Sequence, residues 1–356
     1  MADSLTPSRK LAEQIRFSGD TLRSGSEGNV ARTESIASVF FQNELAITQE
    51  VTPALSEQLI LVCDNLQIPR LQIDAFVYAS SELQATCYAT STSKCVIRFS
   101  SALVDLLDAQ EFSFVCGHEL GHFLLAHGVV KMESRGSSIE YLMQQRAQEV
   151  SVDRIGLIAC GSLDVAIRAL MKTVSGLSSE HLRFDIGTFI SQLRKPETLS
   201  GHGSHNASHP SILIRCRALL WFSLNDFFTK STKTFSQKQL NQLDDRIQKD
   251  LSTYVDGPAH KQIEESKTDL AMWMAVYEIV ENGIFEKSEQ AVISEMFGVD
   301  TLNRLISFLQ EIPVSEVHDT IYERVKSTRE SLEGLIPESF EAEVREIQKK
   351  VSSNLS

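Results

Sequence analysis

No apolar run in this 356-residue chain approaches the ~18 residues needed to cross a bilayer. The stretch Met1 to Glu13 is polar and lacks the apolar core of a signal peptide. None of the six cysteines (Cys63, Cys87, Cys95, Cys116, Cys160 and Cys216) forms a CxxC pair, which argues against a four-thiolate zinc site. Cys116 and Cys216 sit in apolar helical stretches and read as packed thiols, which fits a reducing compartment. Positive charge is in deficit: the formal net charge is −13, which argues against nucleic acid as a partner. These absences leave a soluble, cytoplasmic chain without a membrane span. What is present suffices for a real core, with 42% hydrophobic residues, and the length suits two domains or one domain with a long appendage.

The stretch Gly117-His118-Glu119-Leu120-Gly121-His122 reads H-E-x-x-H. At about 3.6 residues per turn, His118 and His122 share a helix face and can grip one zinc ion, with Glu119 next to it to act on a bound water. Asp108 and Glu111 form a capping-box pattern ahead of an apolar series through Phe112, Val115, Cys116, Phe123 and Leu124, and Gly128 stands where a C-terminal glycine cap belongs. Two histidines and a glutamate within an apolar helix need a partner. The opposing reading is that the short pattern is ordinary helix surface.

Upstream, Ser18 to Asn29 is rich in Gly, Ser and charge and reads as a mobile linker or lid. Helices are expected over Glu34–Gln49 and from Pro53 to about Asn65. Three short strands follow, around Leu71–Val77, Thr86–Thr90 and Cys95–Phe99, which suggests a small antiparallel sheet. In zinc peptidases an edge strand of such a sheet commonly lines the cleft, where an extended peptide can pair with it. A helix near Ile139–Ala159 carries Glu149 and Asp153, four apart and so on one face. A solvated acidic face is the usual meaning of such a pair. Downstream of H-E-x-x-H, Glu149 instead completes a His-His-Glu site, and Asp153 can accept a hydrogen bond from His118 that fixes its tautomer. His202, His205 and His209 lie in a Gly- and Ser-rich loop. That loop is either a second metal site or a solvated segment, and the solvated reading is preferred for His202 and His205. His209 stands just before a helix opened by Pro210-Ser211, with Arg215 six residues on.

These three motifs, taken in order, resemble metallopeptidase family 48, the gluzincin-type family of HtpX and the CAAX prenyl endopeptidases. The resemblance covers roughly Leu61 to Leu220. It implies that His118, His122 and Glu149 bind one zinc, that Glu119 is the general base, that His209 stabilises the transition state and that Arg215 supports the site by pairing with acidic groups. The sequence departs from the family in having no membrane span, so it resembles a soluble, minimal version. The family's Asn-Ala-x-Ala cleft strand has only Gln84-Ala85-Thr86-Cys87-Tyr88-Ala89 as a counterpart, with no Asn.

The expected organisation is α+β. A mobile segment (1–34) precedes a mostly helical, zincin-like zinc metallopeptidase domain (35–228) with its small antiparallel sheet. A polar linker (229–267) then leads to an all-helical C-terminal module (268–356) that faintly resembles TerB-like domains and offers a surface for another protein. The expected activity is zinc-dependent endopeptidase hydrolysis of a protein or peptide. Two other readings stand beside it: a zinc-containing binding or chaperone-like adaptor, and a latent peptidase blocked by its own N- or C-terminal segment.

Overall fold

The computed structural model describes residues 5–21, 38–89, 93–127, 138–192, 211–229, 234–280 and 285–355. Two units divide it: Met1–Met132 with Met143–Val255, and Glu133–Leu142 with Asp256–Ser356. The α+β, mostly helical class expected from the sequence holds, with a single four-stranded sheet among the described residues.

In the first unit, helix α1 (Thr6–Ile15) is followed by strand β1 (Leu45–Ala46), helix α2 (Pro53–Asn65) and strands β2 (Ile73–Tyr78), β3 (Ala85–Ala89) and β4 (Cys95–Ser100). Helices α3 (Ser101–Leu106), α4 (Ala109–Leu124), α5 (Ile139–Cys160), α6 (Leu163–Ser175), α7 (Ile186–Ser191), α8 (Ile212–Ser223) and α9 (Gln237–Tyr254) follow. The helix expected over Glu34–Gln49 is confined, among the described residues, to 38–43. Leu45 and Ala46 instead pair with Val77 and Phe76 of β2, where the ladder satisfies their backbone groups.

The sheet runs β1-β2-β4-β3 and is mixed rather than antiparallel, because β2 and β4 are parallel. The reason lies in side-chain character. Strand β4 (Cys95-Val96-Ile97-Arg98-Phe99) is buried at nearly every position and takes a central place, whereas half-buried β3 goes to the edge and folds back antiparallel on β4. Placing β4 between its two predecessors forces the parallel pairing.

The sequence reading makes residues 1–34 mobile and 229–267 a linker. The described part of each is packed. Leu5, Ala12 and Ile15 join the main core of the first unit, and Phe17 joins a second core cluster with Ile247, Leu251 and Val255 of the α9 region. The side chain of Arg154 explains this docking. It is buried, donates to the Ile15 carbonyl at 2.9 Å, pairs with Asp244 of α9, and lies over the rings of Phe17 and Phe222. Asp244 also accepts the Ser18 N–H at 2.8 Å. Removing either member of such a buried pair typically costs about 3–5 kcal/mol. The α9 region, through Val255, therefore belongs with the first unit.

The second unit contains helices α10 (Gly257–Ile279), α11 (Lys287–Phe297), α12 (Val299–Gln310), α13 (Val317–Leu335) and α14 (Phe340–Leu355). Its buried residues include Leu270, Val276, Ile293, Leu305, Ile321, Leu332, Phe340 and Ile347. The apolar pattern of the sequence marks helices around Met272–Val280, Ser288–Phe297, Asp300–Gln310 and Phe340–Val351 but passes over α13. Only Val317, Ile321 and Leu332 of its residues are buried, too sparse a stripe to stand out among its charges. The turn that the sequence suggests at Glu281-Asn282-Gly283-Ile284 lies outside the described residues. No helix among the described residues is long and apolar enough to cross a membrane.

Candidate metal centre

Helix α4 begins with the expected capping box: Asp108 accepts the Glu111 N–H, and Glu111 accepts the Asp108 N–H. Glu111 is fully buried and anchored by Lys172 at 2.6 Å and Arg168 at 3.2 Å from α6. The start of the helix is therefore fixed in place as well as capped.

Its other end departs from the sequence reading. Gly128 lies outside the described residues, and the turn closes earlier through Ala126, whose φ of 54° is left-handed. The Ala126 N–H reaches the Phe123 carbonyl at 3.2 Å and the His127 N–H reaches the His122 carbonyl at 2.9 Å, the two bonds of a Schellman turn. Using alanine in place of glycine here costs about 1 kcal/mol or more.

Helices α4 and α5 pack very closely. A Cβ at Gly117 would lie 2.2 Å from the Ala159 Cβ, and one at Gly156 would lie 2.9 Å from the Phe114 carbonyl oxygen. The room at Gly121 is taken by Val152 and Ile155 of α5. The motif glycines thus serve the approach of the second helix, which brings Glu149 and Asp153 to the histidines.

His118, His122 and Glu149 converge, with one ligand atom of each within 4.8 Å of the others. His118 Nε2 is 3.6 Å from Glu149 Oε2, and His122 Nε2 is 3.6 Å from Glu149 Oε1. Bonds of about 2.0–2.2 Å in a tetrahedral arrangement place ligand atoms about 3.3–3.5 Å apart, so this donor set fits a zinc-sized cation. The side chains of His118, His122 and Glu149 are 12%, 24% and 8% exposed, which leaves the approach open on the His122 side.

The expected contact from Asp153 is present. Asp153 Oδ1 lies 3.0 Å from His118 Nδ1. Arg215, at the start of α8, donates through Nη2 to Asp153 Oδ1 at 2.6 Å and through Nε to Oδ2 at 2.8 Å, and its Nη1 is 3.2 Å from Glu149 Oε2. Ser211 caps α8 through the Ile214 N–H and so sets the position of Arg215. Burial works against charge on Glu149 and Asp153. Arg215 together with the histidines outweighs it, holding Asp153 below and Glu149 well below the usual carboxylate range. Arg215 is correspondingly held more firmly protonated, against its burial, by the same two acids.

Glu119 sits half-buried beside His118 on α4. It is close enough to edge strand β3 that, after the Cys95 hydrogen bond and burial, its charge helps push the Cys87 thiol up. His209, together with His202 and His205, lies outside the described residues.

Sequence reasoning missed His127 and Asp20. His127 Nδ1 is 3.2 Å from His122 Nδ1, and His127 Nε2 is 3.0 Å from Asp20 Oδ2. Ser151 Oγ donates to the same Asp20 oxygen at 2.7 Å and accepts the Phe17 N–H at 3.1 Å. A third histidine five residues after His122 was the available signal. Asp20 carried none, because it sits in a Gly- and Ser-rich stretch.

A site of two imidazoles and one carboxylate, all from adjacent helices, has the donor set of the class of mononuclear metal centres. Comparison with known proteins narrows that class. Residues 49–145 match the model of Peptidase family M48, the family that the motifs resemble. The Plastoglobule-localized metallopeptidase 48, chloroplastic, of Arabidopsis thaliana is 27% identical, over 44% of this chain and 52% of that protein. The match thus spans about half the length of that relative. No solved structure matches. The family match ends four residues before Glu149 (149 − 145 = 4), so Glu149, Asp153 and Arg215 are joined to the motif by geometry.

Proposed function

We propose that the protein is a zinc-dependent metalloendopeptidase. The observation that carries this is the convergence of His118 Nε2, His122 Nε2 and Glu149 within zinc-bonding reach of one point, with Glu119 beside them. His118, His122 and Glu149 hold one Zn²⁺ per chain. When bound, the metal supplies Lewis acidity and lowers the pKa of a coordinated water from about 15.7 toward 7. Glu119 accepts a proton from the attacking water and delivers it to the leaving nitrogen. Asp153 orients the His118 ring through Nδ1 and leaves Nε2 for the metal, and Arg215 holds Glu149 in its ionised form. His209 is assigned the oxyanion contact, a role worth roughly 3–4 kcal/mol for one good donor.

The substrate is a protein or peptide. Strand β3 forms one edge of the sheet, and its proximity to Glu119 supports entry of an extended chain that adds to that edge by backbone pairing. A cytoplasmic setting, and a partner-binding role for the helical unit 256–356, remain parts of this proposal. The latter rests only on the concentration of acidic residues there.

Glu119→Gln is the test. Zinc should remain bound, by metal analysis of the purified protein, while cleavage of casein seen by mass spectrometry disappears. Cleavage that persists in the variant and resists a chelator would refute the mechanism. A wild-type protein that binds zinc yet cleaves nothing would favour the adaptor reading.

A further inference from the structure

His122 and His118 are equivalent in the motif, yet only His118 was given a partner by sequence. The structure assigns one to His122: we propose that His127 and Asp20 are positioning residues that orient the His122 imidazole and fix its tautomer for the metal. This inference rests on the metal-site reading above.

The argument starts from donors and acceptors. The Asp20 carboxylate is buried and can only accept. It receives the Ser151 hydroxyl, whose oxygen in turn receives the Phe17 N–H, and it faces His127 Nε2 at 3.0 Å. His127 must therefore carry its proton on Nε2, and a neutral ring then offers Nδ1 as an acceptor. Across 3.2 Å stands His122 Nδ1, which must be the donor. That places the His122 lone pair on Nε2, the atom that points to Glu149. Every pair in the chain Phe17–Ser151–Asp20–His127–His122 is satisfied in one direction only.

Backbone geometry builds the same contact. In the Schellman turn, His127 bonds through its own N–H to the carbonyl of His122, so main chain and side chain of the two residues are tied together. The two rings stand 5.3 Å apart at 68°, and the His127 side chain is only 2% exposed. Asp20 is delivered by a segment that is itself held: Arg154 takes the Ile15 carbonyl, Asp244 takes the Ser18 N–H, and Gln144 donates to the Gly19 carbonyl at 2.8 Å. A Cβ at Gly19 would meet the Phe17 ring at 2.6 Å, so the tight turn leading to Asp20 has no room for a side chain there. Residues that the sequence reads as a loose lead-in thus reach the back of a metal ligand, 107 positions away from His127.

The experiment is a zinc titration of the full-length, metal-free protein against a chromophoric chelator, with Co²⁺ absorption spectra as a second readout of ligand geometry. His127→Phe and Asp20→Leu are expected to bind zinc about 10–100-fold more weakly. Their metal-free melting temperatures are recorded beside this. His127→Gln, whose amide can accept from His122 and donate to Asp20, is expected to recover most of the affinity and the wild-type Co²⁺ spectrum. Wild-type zinc affinity in both His127→Phe and Asp20→Leu would overturn the inference. A loss that merely follows a lowered melting temperature and is not relieved in His127→Gln would overturn it too. Glu149→Ala separates the two levels. If it abolishes zinc binding while His127→Phe does not alter it, the positioning role fails and the metal site stands. If Glu149→Ala binds as tightly as wild type, the metal reading fails and the positioning role with it.

Discussion

The two histidines of one helix are backed in unlike ways. Behind His118 stands a charged cluster in which Asp153 is clamped by two arms of Arg215, and the same guanidinium reaches Glu149. Behind His122 stands a second imidazole, then the buried carboxylate of Asp20 brought in from the N-terminal segment. One side is stabilised by strong, close charges from neighbouring helices. The other depends on a chain of hydrogen bonds whose last member comes from far away in sequence. The difference teaches that two ligands related by a single helical turn need not share one source of order.

The sharpest way to break the comparison is Arg215→Ala. It leaves two buried carboxylates without their cation, so the loss of stability should be about 3–5 kcal/mol in urea unfolding of the metal-free protein. Asp20→Leu removes no comparable charge pair and should cost visibly less. Equal losses would mean that the charged side is no stronger than the other.

A pH series sharpens it further. Glu149 and Asp153 have depressed folded-state pKa values. Their contribution is present above the ordinary carboxylate values near 4 and is lost as pH falls through the folded values. On the other side, burial lowers the His127 pKa against the pull of Asp20. Its contribution is present above about 6.5 and fades as pH falls below that. His122 runs the other way: Glu149 and Glu119 outweigh its burial and raise its pKa, so its contribution is present below about 6.5 and lost as pH rises through the raised value. Unfolding free energies measured from pH 3 to 8 should therefore show the His118 side as an acid limb below about 4 that Asp153→Asn reduces. A change confined to the neutral range in that variant would contradict the assignment.

Gly117→Ala comes next. Its new Cβ has no space beside Ala159, so about 1–3 kcal/mol should be lost and zinc binding weakened on both sides together. The smallest effect belongs to Ala126→Gly. Relief of the left-handed turn should add up to about 1 kcal/mol by thermal unfolding, with zinc affinity held, because the contact between His122 and His127 does not need the alanine side chain.

Much of the His118 side was legible in the sequence because it is written in helical spacing. His118 with His122, and Glu149 with Asp153, are four apart, and the capping box announces α4. Arg215 was reached only through family resemblance, since nothing in its own neighbourhood points to an acid in α5. The His122 side was illegible for a physical reason. Asp20 acquires its role only when Arg154 and Asp244 pin down a polar stretch, and those contacts span 139 and 226 residues of sequence. The sheet was misjudged for the same kind of reason: strand order depends on which strand is most buried, a property of the assembled core. Helix α13 shows another failure, where only Val317, Ile321 and Leu332 are buried over a long charged helix and leave no dense apolar stripe to read.

The glycines at 117, 121 and 156 act as a caliper stop. Because backbone of one helix rests against side chains of the other, a methyl group at 117 or 156 would set α4 and α5 apart and carry the imidazoles away from Glu149, so the spacing of the three donors is decided by residues that are not among them.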